Sequence, residues 1–233
     1  MRVLLTRPRE ESEQLAAALR ASGHETVISP VLEIQFVEGP ELALDDVQAI
    51  LATSANGIRA LARRTARRDV PVLAVGPQTA RAAQSVGFRA VRNASGDADA
   101  LADAVRNRAL PDAGALIYAA GRERRSDFEQ ALVDGGYSVR TEILYDAAEQ
   151  PVLTREARAA LSAAALDAVM LFSSRTAASF AKQVQAAGVA HHCLRLIALC
   201  MSEAVAEALE PLRFREMRIA AHPNQDGMLA LLD

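Results

Sequence analysis

Lysine is nearly absent from this 233-residue chain: of 26 basic residues only Lys182 is a lysine. A phosphate-cradling Walker loop needs a lysine after its glycines, and no position supplies one. Lys182 lies beside Gln183 in a helical pattern, where an exposed lysine is ordinarily solvated, so Schiff-base chemistry has little to stand on. Cysteine is scarce, with Cys193 and Cys200 alone, and histidine is confined to His24, His191, His192 and His222. Without Cys-x-x-Cys or His-Glu-x-x-His the common zinc sites are excluded, and two cysteines cannot staple a chain of this size. The cysteines read as small buried apolar groups. Gly-x-Gly-x-x-Gly and Gly-x-Ser-x-Gly are missing as well, which removes support for a dinucleotide cofactor and for a nucleophile-elbow hydrolase. The expectation is a protein without metal or cofactor.

Positive charge is not in excess either. The net charge is −3, against broad nucleic-acid binding through a basic face. No apolar run approaches the roughly 20 residues of a membrane helix. The opening Met1–Pro8 is broken by Arg7 and Pro8 too early for a secretion signal, so a soluble, cytoplasmic protein is expected. With 51% hydrophobic and 24% charged residues the chain is globular in composition, and its length allows one large domain or two small ones.

What is present is an alternation of short apolar runs with amphipathic helical patterns, the sign of an α/β fold. Val3–Leu5, Val47–Ala52, Val72–Val75, Phe88–Val91, Ala115–Tyr118, Ala168–Phe172, Leu194–Leu199 and Met217–Ala220 read as strands. Glu25–Ile28, Val31–Ile34 and Tyr137–Tyr145 read as extended. Helices are expected from Pro8 to about Leu19, Ser54 to Arg68, Gly76 to near Gly87, Ala98 to Arg108, and Gly121-Arg122 to Gly135-Gly136. Others open at Ser173 and Ser202, and the last covers Asp226–Leu232. The stretches near 37–41 and 146–153, with Pro40 and Pro151, read as linkers.

The chain repeats itself. Leu51-Ala52-Thr53-Ser54 parallels Leu171-Phe172-Ser173-Ser174, Leu73–Gly76 parallels Ile197–Cys200, and Ser95–Leu101 parallels Asn224–Leu229. Arg2–Ile34 likewise parallels Ala115–Tyr145, so a duplicated design fits better than one large domain. Two pairings remain open: a front half and a back half, or a first opening unit packed with the last repeat around an independent middle.

Ligands of open parallel sheets bind beyond the carboxyl ends of strands. Here those ends meet hydroxyl- or glycine-rich turns that open helices: Thr6-Arg7-Pro8, Thr53-Ser54-Ala55-Asn56, Gly76-Pro77-Gln78-Thr79, Gly121-Arg122, Ser173-Ser174-Arg175-Thr176 and Ser202. Helix N-termini attract carboxylate or phosphate, and Arg7, Arg122, Arg124 and Arg175 add forked donors. Capping alone would explain any one of these turns; several at equivalent strand ends point to a site for a polyanion. Arg63-Arg64 and Arg67-Arg68 read as a solvated helix face, His191-His192 as an exposed loop pair, and Tyr145 as a donor at the end of the middle block.

Several motifs together resemble the uroporphyrinogen-III synthase family. They are Val3–Pro8, Thr53–Gly57, Ala74–Ala80, the Gly136…Val139…Tyr145 segment, Phe172–Ser174, and the closing Ala221-His222-Pro223…Gly227. The resemblance implies two similar parallel-sheet α/β domains joined by a two-stranded linker with a cleft between them. The domains would be 1–36 with 152–233, and 39–148. It also implies a cofactor-free cyclising lyase acting on hydroxymethylbilane, a linear tetrapyrrole with acetate and propionate groups on every ring. Water is lost and the last pyrrole is inverted, whereas unaided closure gives the non-inverted isomer. Tyr145 then matches the tyrosine that assists departure of the hydroxyl. Arg7, Ser54, Ala55, Asn56, Gly76, Gln78, Thr79, Arg122, Ser174, Arg175 and Ser202 become substrate-binding candidates. The family often repeats Gly-Pro-x-Thr-Ala in the second half; here that place reads Cys200-Met201-Ser202-Glu203-Ala204, where Ser202 can still donate but Glu203 would repel a carboxylate. The implied protein is a monomer, touches neither nucleic acid nor membrane, and takes its substrate by hand-over from hydroxymethylbilane synthase. The alternatives are a non-catalytic bilobed module for a small polyanionic ligand, and an unrelated transferase using Tyr145 or His222.

Overall fold

Residues 1–94, 96–124 and 126–232 are described by a computed structural model of the chain. Ser95, the first residue of one repeat match, lies outside them. The short apolar runs become buried strands because both faces of a parallel sheet are covered by helices. One compact unit comprises residues 1–33 and 148–233, the other residues 34–147.

In the first unit β1 (Arg2–Leu5), β2 (Glu25–Ile28), β9 (Ala168–Leu171), β10 (Ile197–Cys200) and β11 (Glu216–Ile219) lie in the order β11-β10-β9-β1-β2. The middle unit holds β4 (Val47–Ala52), β5 (Val72–Ala74), β6 (Val91–Asn93), β7 (Ala115–Gly121) and β8 (Val139–Glu149), with β3 (Leu32–Phe36) at its edge, in the order β3-β8-β7-β4-β5-β6. Matching β7 to β1, β8 to β2, β4 to β9, β5 to β10 and β6 to β11 superposes the two strand orders. The first unit is thus the middle unit with its last βαβ moved to the front of the chain. Neighbouring strands pair parallel. β3 and β8 differ: Val37 N–H donates to Leu144 O and Gln150 N–H to Val31 O, the constant-sum spacing of an antiparallel pair. The chain passes between units twice, and both crossings lie in these two strands.

The helices are α1 (Arg9–Ala21), α2 (Ala55–Arg64), α3 (Pro77–Ser85), α4 (Ala98–Arg106), α5 (Ser126–Asp134), α6 (Arg155–Ser162), α7 (Ser174–Ala186), α8 (Glu203–Glu207) and α9 (Gln225–Leu229). In the middle unit α2 and α3 cover one face, Ile58, Leu61 and Ala83 packing with Ile50, Ala52, Ile117 and Ala119 of the strands. The other face gathers Leu51, Leu73, Leu101, Val105, Leu116, Tyr118, Phe128 and Leu132.

Several boundaries move from the sequence expectation. α2 stops at Arg64, where Thr65 turns extended. Arg64 and Arg68 are not a solvated face: Arg68 donates to the carbonyls of Ala62, Thr65, Arg67 and Val86, and Arg64 to those of Val37 and Pro40. Arg68 thereby closes the Ala62 carbonyl that the end of α2 leaves open and the Val86 carbonyl at the end of α3, while Arg64 ties α2 to the segment before β4. Phe88 is core rather than strand, and the strand itself is Val91–Asn93. β7 continues through Gly121, so α5 begins at Ser126 and Arg122 opens no helix. β8 continues through Glu149, into the expected linker. Ala190–Arg195 is a 3-10 helix that includes His191 and His192, and the strand begins at Ile197. α6 was not anticipated, although Thr154 caps it by accepting from Ala157 N–H.

Candidate active site

At the carboxyl end of the middle sheet, α2 begins with Ser54, whose Oγ accepts the Asn56 N–H at 3.1 Å. Asn56 is buried and its Oδ1 accepts from Arg59 Nη1 at 2.9 Å. Ala55 packs into the core, so it offers the turn only its backbone N–H. No acidic residue lies in the first turn of α2 or of α3. Gly76 gives α3 no side-chain cap and Pro77 follows, which leaves the first-turn N–H groups, those of Gln78 and Thr79 among them, without a capping partner. Thr79 is only 5% exposed, yet its hydroxyl has no hydrogen bond among the described residues. The arrangement carries the partial positive charge of two helix starts with no carboxylate in either first turn.

Beside it lies a cavity of about 320 Å³. Its walls are Thr53 and Ser54 after β4, Val75 after β5, Ala98 at the start of α4, Tyr118 and Gly121 of β7, Glu123, Arg124 and Phe128 before and within α5, and Tyr145 of β8. Ser54 and Tyr145, both singled out by sequence, thus meet in one place. Arg124 joins them, 3.6 Å from Glu129. Arg122 does not: it is exposed, and its Nε donates to Asp146 at 3.0 Å. Tyr118 was missed. It is 2% exposed, and its hydroxyl lies 3.1 Å from Thr53 Oγ1. The clue was the pairing of the runs around Leu51 and Tyr118, which no single segment displays.

The equivalent strand ends of the first unit are finished differently. Arg7 donates from Nε to Glu11 at 2.8 Å, has Nη2 2.5 Å from the same oxygen, and lies 4.6 Å over the Phe172 ring. Thr6 donates to Met170 O. The cap of α7 is Ser173 and not Ser174: Ser173 Oγ accepts the Thr176 N–H, while Ser174 Oγ donates to Ala204 O at 2.9 Å. Arg175 is half-buried beside it. Ser202 precedes α8 without a side-chain cap bond, and Glu203 opens that helix. Burial pushes the Cys200 thiol up to about 11, with the Glu203 charge adding to the shift, so it is no nucleophile near neutral pH. Cys193 is likewise pushed up to about 11 by burial. Among the described residues no cluster of three His, Cys, Asp or Glu is placed to hold a metal ion, and no helix is long and apolar enough to cross a membrane.

Fold and site together define a duplicated, parallel α/β protein whose polar donors gather at the carboxyl ends of its strands. The family model of uroporphyrinogen-III synthase HemD matches residues 13–230, and the chain belongs to that family. Its activity is that of a cyclising hydro-lyase, closing linear hydroxymethylbilane to uroporphyrinogen III with loss of water and inversion of the last pyrrole ring. Solved structures share the fold. The uroporphyrinogen-III synthetase of Helicobacter pylori 26695 is 16% identical over 100% of this chain and 98% of its own, with a TM-score of 0.62. A mutant uroporphyrinogen III synthase of the extremely thermophilic bacterium Thermus thermophilus is 18% identical over 100% and 97%, with a TM-score of 0.51. A search of curated proteins finds no significant match.

Proposed function

We propose that the middle unit carries the chemistry of this ring closure and that Tyr145 is its catalytic residue. The observation behind this reading is the cavity in which Tyr145, Ser54 and Arg124 meet. The Tyr145 hydroxyl assists departure of the terminal hydroxyl as water, and the open starts of α2 and α3, with Ser54, Ala55, Asn56, Gly76, Gln78 and Thr79, receive the carboxylates of the end rings. Ser174, Arg175 and Ser202 meet carboxylates that the cavity does not. Arg7 and Arg122, each already paired with an acid, act as supports that can turn toward the substrate. Because the reaction also runs unaided to the non-inverted isomer, the protein's task is to hold the end rings in the arrangement that inverts. An intermediate that closes by itself also favours direct hand-over from hydroxymethylbilane synthase to a monomeric, cytoplasmic enzyme. The two units are taken as the two functional domains.

A product-isomer measurement tests the reading. Freshly generated hydroxymethylbilane is mixed with purified protein, and the products are oxidised and separated by chromatography. The inverted III isomer is expected without added metal or nucleotide; the I isomer alone, from folded protein, overturns the reading. Tyr145→Phe is expected to slow closure by roughly 10- to 100-fold, below the usual range of about 100- to 10,000-fold for a general acid because the leaving group also departs unaided. KM should change little, and an unchanged rate removes Tyr145 from the mechanism.

A further inference from the structure

Along β8 the side chains alternate until Ile143. Val139, Thr141 and Ile143 pair with Leu116, Tyr118 and Ala120, and Val139 and Ile143 pack on the Leu101 and Phe128 face. Between Ala120 and Gly121 the register shifts, so that Gly121 pairs with Tyr145 and Leu144 becomes an extra residue in the strand. Regular alternation would send Tyr145 to the face of Ile143. The bulge instead places Leu144 and Tyr145 together with Ile117 and Ala119 on the opposite face.

Gly121 stands opposite the tyrosine. Its backbone does not require glycine, since it is not among the residues with positive φ. Its lack of a side chain does matter: a Cβ at residue 121 would lie 2.7 Å from Tyr145 Cζ and 3.0 Å from its hydroxyl oxygen. The phenol fills the space a side chain at 121 would take, and both residues line the cavity. Arg122 N–H donates to Tyr145 O at 2.9 Å and holds the strand in its shifted register.

We propose that Gly121 is a positioning residue for ring closure: with the one-residue bulge at Leu144 it sets the Tyr145 hydroxyl in the cavity wall. This rests on the reading of Tyr145 as the catalytic group. The atoms an added methyl would meet are the far end of the tyrosine ring, so a Gly121→Ala protein keeps its strands and moves its phenol. A displacement of that kind costs about 10- to 100-fold in rate.

The test is a double-mutant cycle in kcat and KM with freshly generated hydroxymethylbilane. Gly121→Ala is expected to lower kcat about as much as Tyr145→Phe does, with KM within about twofold. Adding Gly121→Ala to Tyr145→Phe should cost little more, because the hydroxyl it displaces is already gone. Equal further loss in the Tyr145→Phe background, or a wild-type kcat for Gly121→Ala, overturns the proposal. Tyr145→Phe at the wild-type rate defeats the underlying reading, and with it the proposal, before the glycine is touched. Should Gly121→Ala fail to fold, the Gly121→Ala/Tyr145→Ala double variant is expected to fold, since the obstruction is the ring; a double variant that stays unfolded overturns the proposal.

Discussion

After β5 the middle unit turns through Gly76-Pro77-Gln78-Thr79 and leaves a helix start without acid or side-chain cap. After β10 the first unit turns through Cys200-Met201-Ser202-Glu203 and sets a carboxylate on the opening residue of a helix of five residues. The same contrast recurs one strand away. Thr53 and Ser54 look into a cavity, whereas Ser174 donates to the Ala204 carbonyl until a substrate takes its hydroxyl. At the third position Gly121 yields its space to Tyr145, while Arg7 is tied to Glu11 and laid over Phe172. One strand order therefore offers the same anion-receptive geometry twice, and side chains decide where it stays open. Acidic residues in the first turns of α1, α8 and α9 offset the partial charge that α2 and α3 keep.

Substitutions can break this contrast, and the largest effect is expected on stability. Arg7→Ala takes a forked guanidinium away from Glu11, a carboxylate only 9% exposed. The expected loss is about 2–3 kcal/mol, read as a lowered urea midpoint with m unchanged. Adding Glu11→Gln should recover part of it; no loss at all would mean that the pair is not what finishes this turn. A smaller effect belongs to the open side. Thr79→Val keeps the shape and removes a hydroxyl that makes no hydrogen bond among the described residues. Stability should hold, while KM rises by about 3- to 10-fold if the hydroxyl meets substrate. Smallest is the difference between two serines that precede helices. Ser173→Ala should cost about 1 kcal/mol because Ser173 Oγ accepts from Thr176, and Ser202→Ala less than about 0.5 kcal/mol because no cap bond is lost. Equal losses in thermal unfolding would erase the distinction drawn between the turns.

The parallel α/β character was legible because strands buried on both faces read as unbroken apolar runs, as in Ile50-Leu51-Ala52 and Val169-Met170-Leu171. The duplication was legible because equivalent strands end in equivalent turns, as in Thr53-Ser54 and Ser173-Ser174. The register shift at Leu144 was not, because a bulge is a property of two strands and β8 shows it only against β7. Nor was the use of Arg64 and Arg68, whose acceptors lie up to 27 residues away in the chain. The Arg7–Glu11 pair, by contrast, stood at the i, i+4 spacing in plain sequence and could have been read there. Of the candidate site, the strand-end turns could be found from residue type alone. Which of them remain open depends on partners brought from elsewhere.

The position of β1 bears on the order in which the protein assembles. β1 is an inner strand, flanked by β2 and by β9, and β9 begins at Ala168. A chain emerging from the ribosome can therefore complete the unit of residues 34–147 while Val3, Leu4 and Leu5 still lack the neighbour on their other side. At roughly 5–20 residues per second that wait is on the order of ten seconds. A strand made early is thus locked in place late, and for that interval its apolar edge stands open to wrong partners on the nascent chain.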